Sequence, residues 1–149
     1  MIAIATLAAG PFERIEAAFR DLPGIVDTAV GYTGGFRPNP SYELVGKGRT
    51  GHVEAVQVEF DPRRLFYAEL LEAFWLAHDP SSPLAPQYRS AIFVHSPEQH
   101  RVARISLLAR QAALRWPILT EIRRATTFYR AEDEHQHVLE RGGLASALA

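Results

Sequence analysis

The run Ile2-Ala-Ile-Ala-Thr-Leu-Ala-Ala-Gly-Pro-Phe-Glu-Arg-Ile-Glu-Ala-Ala-Phe19 joins an apolar segment to an amphipathic one across a glycine-proline turn. Ile2 to Leu7 reads as a buried strand, and Ala8-Ala9-Gly10 as a tight turn. Pro11 to about Asp21 reads as a helix with Ile15, Ala18 and Phe19 on one face. Pro11 suits a first helical turn, where its missing N–H costs nothing. Leu22-Pro-Gly24 ends the helix and launches a strand from Ile25 to Gly31, which runs into Tyr32 and the Gly34-Gly35 turn.

Farther along, Phe36 to Gly51 is rich in Pro and Gly without a sustained period and predicts a long loop, the kind of segment that often carries function. Val53 to Phe60 alternates as a sheet strand does. Asp61-Pro62 then opens a helix from about Arg64 to His78, in which Phe74 and Trp75 are core candidates. Asp79 to Pro86 is a proline-stiffened loop. A strand near Ser90 to Val94, a helix from Pro97 to about Leu114, a strand near Leu119 to Ala125 and a last helix near Asp133 to Glu140 complete the series. The pattern predicts an α+β fold, a two-layer sandwich of helices on a mainly antiparallel sheet following the split βαβ or ferredoxin-like plan.

At 149 residues, 47% hydrophobic and 22% charged, the composition fits one domain spanning residues 1–149, with a short tail at about 143–149. No apolar run approaches the ~20 residues of a membrane span. The apolar start lacks the basic residues of a secretory signal. A net charge of -1, with both signs interspersed, points away from nucleic acid and anionic membrane as partners. The chain has no cysteine, so disulfides and thiolate metal sites are excluded. A cytoplasmic location is the default expectation.

Six blocks of the sequence bear on function. Thr6-Leu-Ala-Ala-Gly-Pro-Phe-Glu-Arg-Ile-Glu-Ala-Ala-Phe19, Val30-Gly-Tyr-Thr-Gly-Gly35, Gly48-Arg-Thr-Gly-His-Val-Glu-Ala-Val56, His78-Asp-Pro80, Gln87-Tyr-Arg-Ser-Ala-Ile92 and Ala131-Glu-Asp-Glu-His-Gln136 occur in that order. Together they resemble the successive motifs of the methionine sulfoxide reductase A family, from about residue 5 to residue 140. The resemblance implies the same α+β fold.

Reducing a sulfoxide requires a nucleophile for sulfur and an acid for the departing oxygen. The resemblance places the family's nucleophilic cysteine at Pro11, at a helix N-terminus that would favour a thiolate. A prolyl ring has no lone pair to offer, and no other residue can form the sulfenic acid of the family cycle. The tail after Gly143 also lacks cysteines for recycling, so no thioredoxin coupling is expected. The acid half is retained by position: Glu54 matches the family's carboxylic acid, and Tyr32 and Tyr88 match the phenols that share hydrogen bonding to the substrate oxygen. Spacing alone equally allows Glu54 to face solvent and both tyrosines to be core rings.

Phe12 occupies the first aromatic position of the family's methyl-binding pair, and Glu13 replaces the tryptophan that follows. Glu13 is either a first-turn acid favoured by the helix dipole or, with Glu54, half of a carboxylate pair for acid/base work or a cationic ligand. Pro83 stands where the family has an aspartate, in a shortened loop. His135 and His137, placed at i and i+2 on the expected last helix, would point apart, so no metal site is expected. His52, His78 and His135 read as structural or supporting groups.

No cofactor is expected. The sequence predicts a diverged enzyme of this fold that binds a small sulfoxide or related polar-oxygen compound and activates it by acid catalysis without a protein thiol. One alternative is a non-catalytic ligand- or protein-binding pseudoenzyme. The other, a peptide methionine (S)-S-oxide reductase, is disfavoured by Pro11.

Overall fold

A computed structural model describes residues 1–138. In chain order the elements are β1 (Ala3–Ala8), α1 (Phe12–Arg20), β2 (Ile25–Thr33), α2 (Tyr42–Gly46), β3 (Val53–Phe60), α3 (Tyr67–Leu76), β4 (Ala91–Val94), α4 (Pro97–Ala112), β5 (Glu121–Arg124) and β6 (Tyr129–Arg130). The six strands form one sheet in the order β5-β4-β1-β3-β2-β6. Every pairing is antiparallel except β4 with β5. The chain therefore has the mixed α+β architecture that its patterning predicts. In the central order β4-β1-β3-β2, each helix-linked strand pair is split by a strand from elsewhere, as in the ferredoxin-like plan.

Strand parity decides which residues meet the helices. Val56 and Val58 of β3 and Val30 and Tyr32 of β2 join Phe12, Ile15 and Phe19 of α1 and Leu70, Leu71 and Phe74 of α3 in the main core. Successive side chains alternate across a sheet, so Glu54 shares the helix-facing side with Val56 and Val58. Val53, Ala55, Ala91 and Phe93 form a smaller cluster on the opposite face, covered by Ala125 and Phe128. Trp75 and Phe74 are core residues as expected, with the Trp75 indole donating to Ser106 Oγ at 2.8 Å.

Several boundaries differ from expectation for identifiable reasons. Pro11 is not in the first helical turn: with φ -59° and ψ 132° it precedes α1, and its carbonyl accepts the Arg14 and Ile15 amides. The loop expected over residues 36–51 contains α2, started by the Ser41 hydroxyl accepting from the Leu44 amide at 3.2 Å. The helix expected from Arg64 begins at Tyr67, because the Asp61 carbonyl first closes a turn by accepting the Arg64 and Leu65 amides.

The largest correction concerns the expected last helix from Asp133 to Glu140. Asp133–His135 is a single 3₁₀ turn, His137 has φ 55°, and β6 precedes the segment as a strand that patterning missed. Tertiary hydrogen bonds hold this backbone away from a helix. The buried Gln136 side chain accepts from the Val30 amide and donates to the Val30 and Ala131 carbonyls, while the His137 amide donates to Glu16. The end of the expected helix and the tail at 143–149 lie outside the described residues. Among the described residues, no helix is long and apolar enough to cross a membrane.

Candidate functional site

The site forms where the N-terminus of α1 meets the ends of β2 and β3. Gly10 has φ +74°, a left-handed conformation that turns the chain sharply from β1 into α1. Its amide donates to the Tyr88 carbonyl at 2.9 Å, which ties the Pro86–Tyr88 turn to this corner. Tyr32 and Glu54 are direct partners in the β2–β3 register, so both side chains rise toward α1.

Glu54 is 1% exposed. Its Oε1 accepts the Phe12 amide at 3.1 Å, so a strand carboxyl satisfies an orphan donor that Pro11 cannot cap. Its Oε2 is buried with no hydrogen-bond partner. Burial pushes the carboxyl up to about 7; the Phe12 amide works against this rise and the Glu13 charge adds to it. Near neutral pH the unpartnered oxygen therefore carries a proton part of the time and can donate it to an acceptor. The solvent-facing alternative for Glu54 does not hold.

Tyr32 and Tyr88, the phenols expected beside Glu54, both lie within the field of its carboxyl, and Tyr32 has a further partner of its own. The fully buried Tyr32 donates its hydroxyl to Glu132 Oε1 at 2.8 Å. Burial, then this bond, pushes the phenol well above its ordinary range. Glu132 also accepts the Tyr42 amide at 3.3 Å, linking β2, α2 and the C-terminal segment. Burial alone would raise Glu132, but its hydrogen bonds, including those from Tyr32 and Tyr42, and the nearby His135 hold it below the usual range. Tyr88 is half-buried and pushed upward by burial and then by the Glu54 charge, which places its phenol within the carboxyl's field.

Phe12 is fully buried, with its ring centroid 5.8 Å from Tyr32, 6.2 Å from Tyr42 and 5.6 Å from His135. The Tyr42 and His135 rings meet edge-on at 4.4 Å. Glu13, partly exposed, lies 3.5 Å from His135 Nδ1. Tyr42, Glu132 and His135 thus join the site without having been marked as its chemical groups. Ser41 as an N-cap was the legible signal for Tyr42 and α2. The other two sit in the Ala131–Gln136 block, but only folding shows where they point.

His52 and His78 hold backbone. His52 Nδ1 accepts from Gly35 and Nε2 donates to the Arg37 carbonyl, while a Cβ on Gly35 would collide with the His52 amide. His78 bridges the Phe74 carbonyl and Ser90 Oγ, and burial lowers its basicity. His135 and His137 do not share a helix: one faces Glu13 and the other lies 3.8 Å from Glu16. Among the described residues, no group of three or more His, Cys, Asp or Glu could hold a metal ion.

Two open clefts lie elsewhere. One of about 710 Å³ lies beside His95, His100 and Arg124, and one of about 400 Å³ beside His78, Arg110 and Trp116. Neither includes Glu54. An orphaned buried carboxyl oxygen is the stronger mark of a site, because an open cleft imposes no chemistry on its contents.

A profile of peptide methionine sulfoxide reductases matches residues 3–144. The chain belongs to the peptide methionine sulfoxide reductase family. It is 49% identical over 148 residues to a peptide methionine sulfoxide reductase MsrA of Methanoculleus marisnigri, covering 93% of this chain and 90% of the relative. The MsrA of Geobacter sulfurreducens is 47% identical, with 93% and 91% covered. Among solved structures, methionine sulfoxide reductase A of Corynebacterium diphtheriae superposes with a TM-score of 0.86 at 34% identity, covering 96% of this chain and 76% of that one. Mxr1 of Saccharomyces cerevisiae in its reduced form gives 0.90 at 31% identity, covering 95% and 86%. Within this family, Pro11 occupies the position at which the resemblance places the nucleophilic cysteine.

Proposed function

We propose that this family member binds a small sulfoxide or a related polar-oxygen compound through Glu54 and activates its oxygen by protonation, the nucleophile coming from outside the chain. The carrying observation is the Glu54 carboxyl: one oxygen anchored on the α1 amide, the other buried without a partner, and an affinity for protons poised near neutrality. A sulfoxide oxygen is a strong acceptor and complements such a donor. The half-buried Tyr42 and Tyr88 lie close enough for their phenols to feel the Glu54 charge. With an external thiol as reductant, one sulfoxide and two thiols give one sulfide, one disulfide and one water. Glu54 gives its proton to the oxygen as the sulfur–oxygen bond breaks and regains one from the incoming thiol. No disulfide forms on the chain, so no thioredoxin-type recycling is required.

A positioned general acid contributes about 10²- to 10⁴-fold in rate. Turnover of small sulfoxides, followed by mass change with and without added thiol, should fall by that factor in Glu54→Gln. Full activity in that variant would remove the mechanism. One observation favours a second reading, a ligand-binding protein without turnover: Glu54 already caps α1 and Tyr32 is committed to Glu132, which gives both groups structural work. That reading predicts saturable binding without product. Peptide methionine sulfoxide reduction through the chain's own thiol is not open to a protein with no cysteine.

A further inference from the structure

Of the two open clefts, the one of about 710 Å³ gathers basic side chains from three separate elements. Strands β4 and β5 run parallel with Val94 opposite Arg124, and both end beside the start of α4. His95 from the β4–α4 connection, His100 from α4 and Arg124 from β5 line the space, and among the described residues no carboxylate does. Strand parity sets Arg124 on the side of Ile122, which packs against the main core, whereas Arg123 lies on the other face with its guanidinium 6.0 Å from the Phe93 ring centroid. Helical side chains lean toward the N-terminus, which carries the His100 imidazole back toward the β4–α4 connection. The acids of these elements are engaged elsewhere, Glu98 with Arg101 at 2.6 Å and Glu121 with Arg89 at 3.7 Å. Among the described residues, the His100 and Arg124 side chains have no hydrogen bond or ion pair.

His95 is held in a definite protonation pattern. Its Nε2 lies 2.8 Å from the Thr6 hydroxyl oxygen, which also accepts from Gln57 Nε2 at 3.5 Å. Thr6 is buried, so its hydroxyl proton needs an acceptor, and His95 Nε2 is the one in reach. Burial also lowers the basicity of the ring, so its single proton sits on Nδ1, a donor with no partner in the fold. The corner is fixed in advance. Gln99 accepts the His95 amide at 3.0 Å and donates to the Ile4 carbonyl at 2.8 Å, while Ser96 Oγ takes the Gln99 amide. The end of α4 is thereby capped by its own residues, and the preference for an anion comes from the three side chains.

We propose that this cleft binds a small phosphomonoester, its phosphate on His95, His100 and Arg124 and its organic body against Pro97 and Ile122. An anion with three acceptor oxygens suits donors that arrive from three elements, and a guanidinium matches phosphate geometry in bidentate fashion. A planar carboxylate leaves one donor unused. The volume is that of a small-molecule site. Glu54 takes no part, so this site stands or falls independently of the function proposed above.

The test titrates the protein with phenyl phosphate, benzoate and phenol at constant ionic strength and about pH 7.5, where the phosphate is mostly a dianion, and follows backbone amide signals by NMR. Phenyl phosphate should saturate, with shifts concentrated at residues 94–100 and 122–125. Benzoate should bind about tenfold more weakly, and phenol should not saturate. Arg124→Gln, an exposed position checked for folding by circular dichroism, should weaken phenyl phosphate about tenfold. Arg63→Gln makes the same charge change in the β3–α3 connection and should leave the affinity within about twofold. Equal losses in the two variants reduce the binding to general charge attraction and overturn the site, as do shifts centred elsewhere or an absence of saturation. Benzoate binding as tightly as phenyl phosphate overturns the assignment to phosphate.

Discussion

The unusual proton affinity of Glu54 should be visible in the pH dependence of stability. An unfolded glutamate titrates near 4.5, whereas burial holds the native carboxyl up to about 7. Between these values the native state binds more protons than the unfolded state, so stability falls as pH rises through the window. The stabilisation is fully present below about pH 4.5 and is lost as pH climbs through about 7. At ~1.4 kcal/mol per pH unit, the loss amounts to up to about 3 kcal/mol. Glu54→Gln keeps an oxygen for the Phe12 amide and removes the titration. The stability difference between variant and wild type should therefore be near zero at pH 4.5 and grow to about 2–3 kcal/mol in the variant's favour at pH 8. For a chain of this size that is a separation of roughly 5–10 °C in Tm. Thermal unfolding of both proteins followed by circular dichroism from pH 4.5 to 8.5 measures it, since titrating groups that do not interact with Glu54 cancel in the difference. A difference that stays flat within about 0.5 kcal/mol across the range would refute the claim that the fold holds this carboxyl protonated.

Other consequences are open to measurement. Glu132→Ala removes the acceptor for the buried Tyr32 hydroxyl and the Tyr42 amide, and should cost about 1–3 kcal/mol in the urea midpoint. Gln136→Ala orphans the Val30 amide and should cost about as much, with amide exchange accelerated at Val30 and Ala131. At Gly10 an added Cβ meets nothing within 4 Å, so Gly10→Ala should lose only the roughly 1–2 kcal/mol of a left-handed alanine, read by chemical denaturation. Pro11→Cys introduces a thiol at the start of α1. With the oxygen site intact, one equivalent of sulfoxide should give one sulfide and one protein sulfenic acid, detected as a 16 Da gain by mass spectrometry; no such adduct would count against the oxygen-binding role of Glu54.

Local pattern made much of this molecule readable in advance. Alternation in Val53–Phe60 located β3 with its observed bounds, and Ile15 and Phe19 marked the buried face of α1, whereas Ala18, expected on that face, is exposed and Glu16 is buried, accepting from Thr28 and His137. The absence of cysteine is likewise a property of the sequence alone, and it removes thiol chemistry whatever the fold. By contrast, β6 is two residues long, and neither it nor the turn at Asp133–His135 has a period of its own. Their conformation is dictated by the bonds of Gln136 and His137 to β2 and α1, partners more than a hundred residues away.

The same division runs through the site. Sequence supplied the residue types: a carboxyl in β3, phenols at 32 and 88, a proline at 11 and an acid at 13. Only the tertiary structure decided which of them share a space. Burial and a single amide bond leave one Glu54 oxygen without a partner, while Glu132, brought in by the C-terminal segment, takes the Tyr32 hydroxyl. Proton affinity and hydrogen-bond partnership depend on desolvation and on distances between residues remote in the chain, and neither is encoded in any local window of sequence.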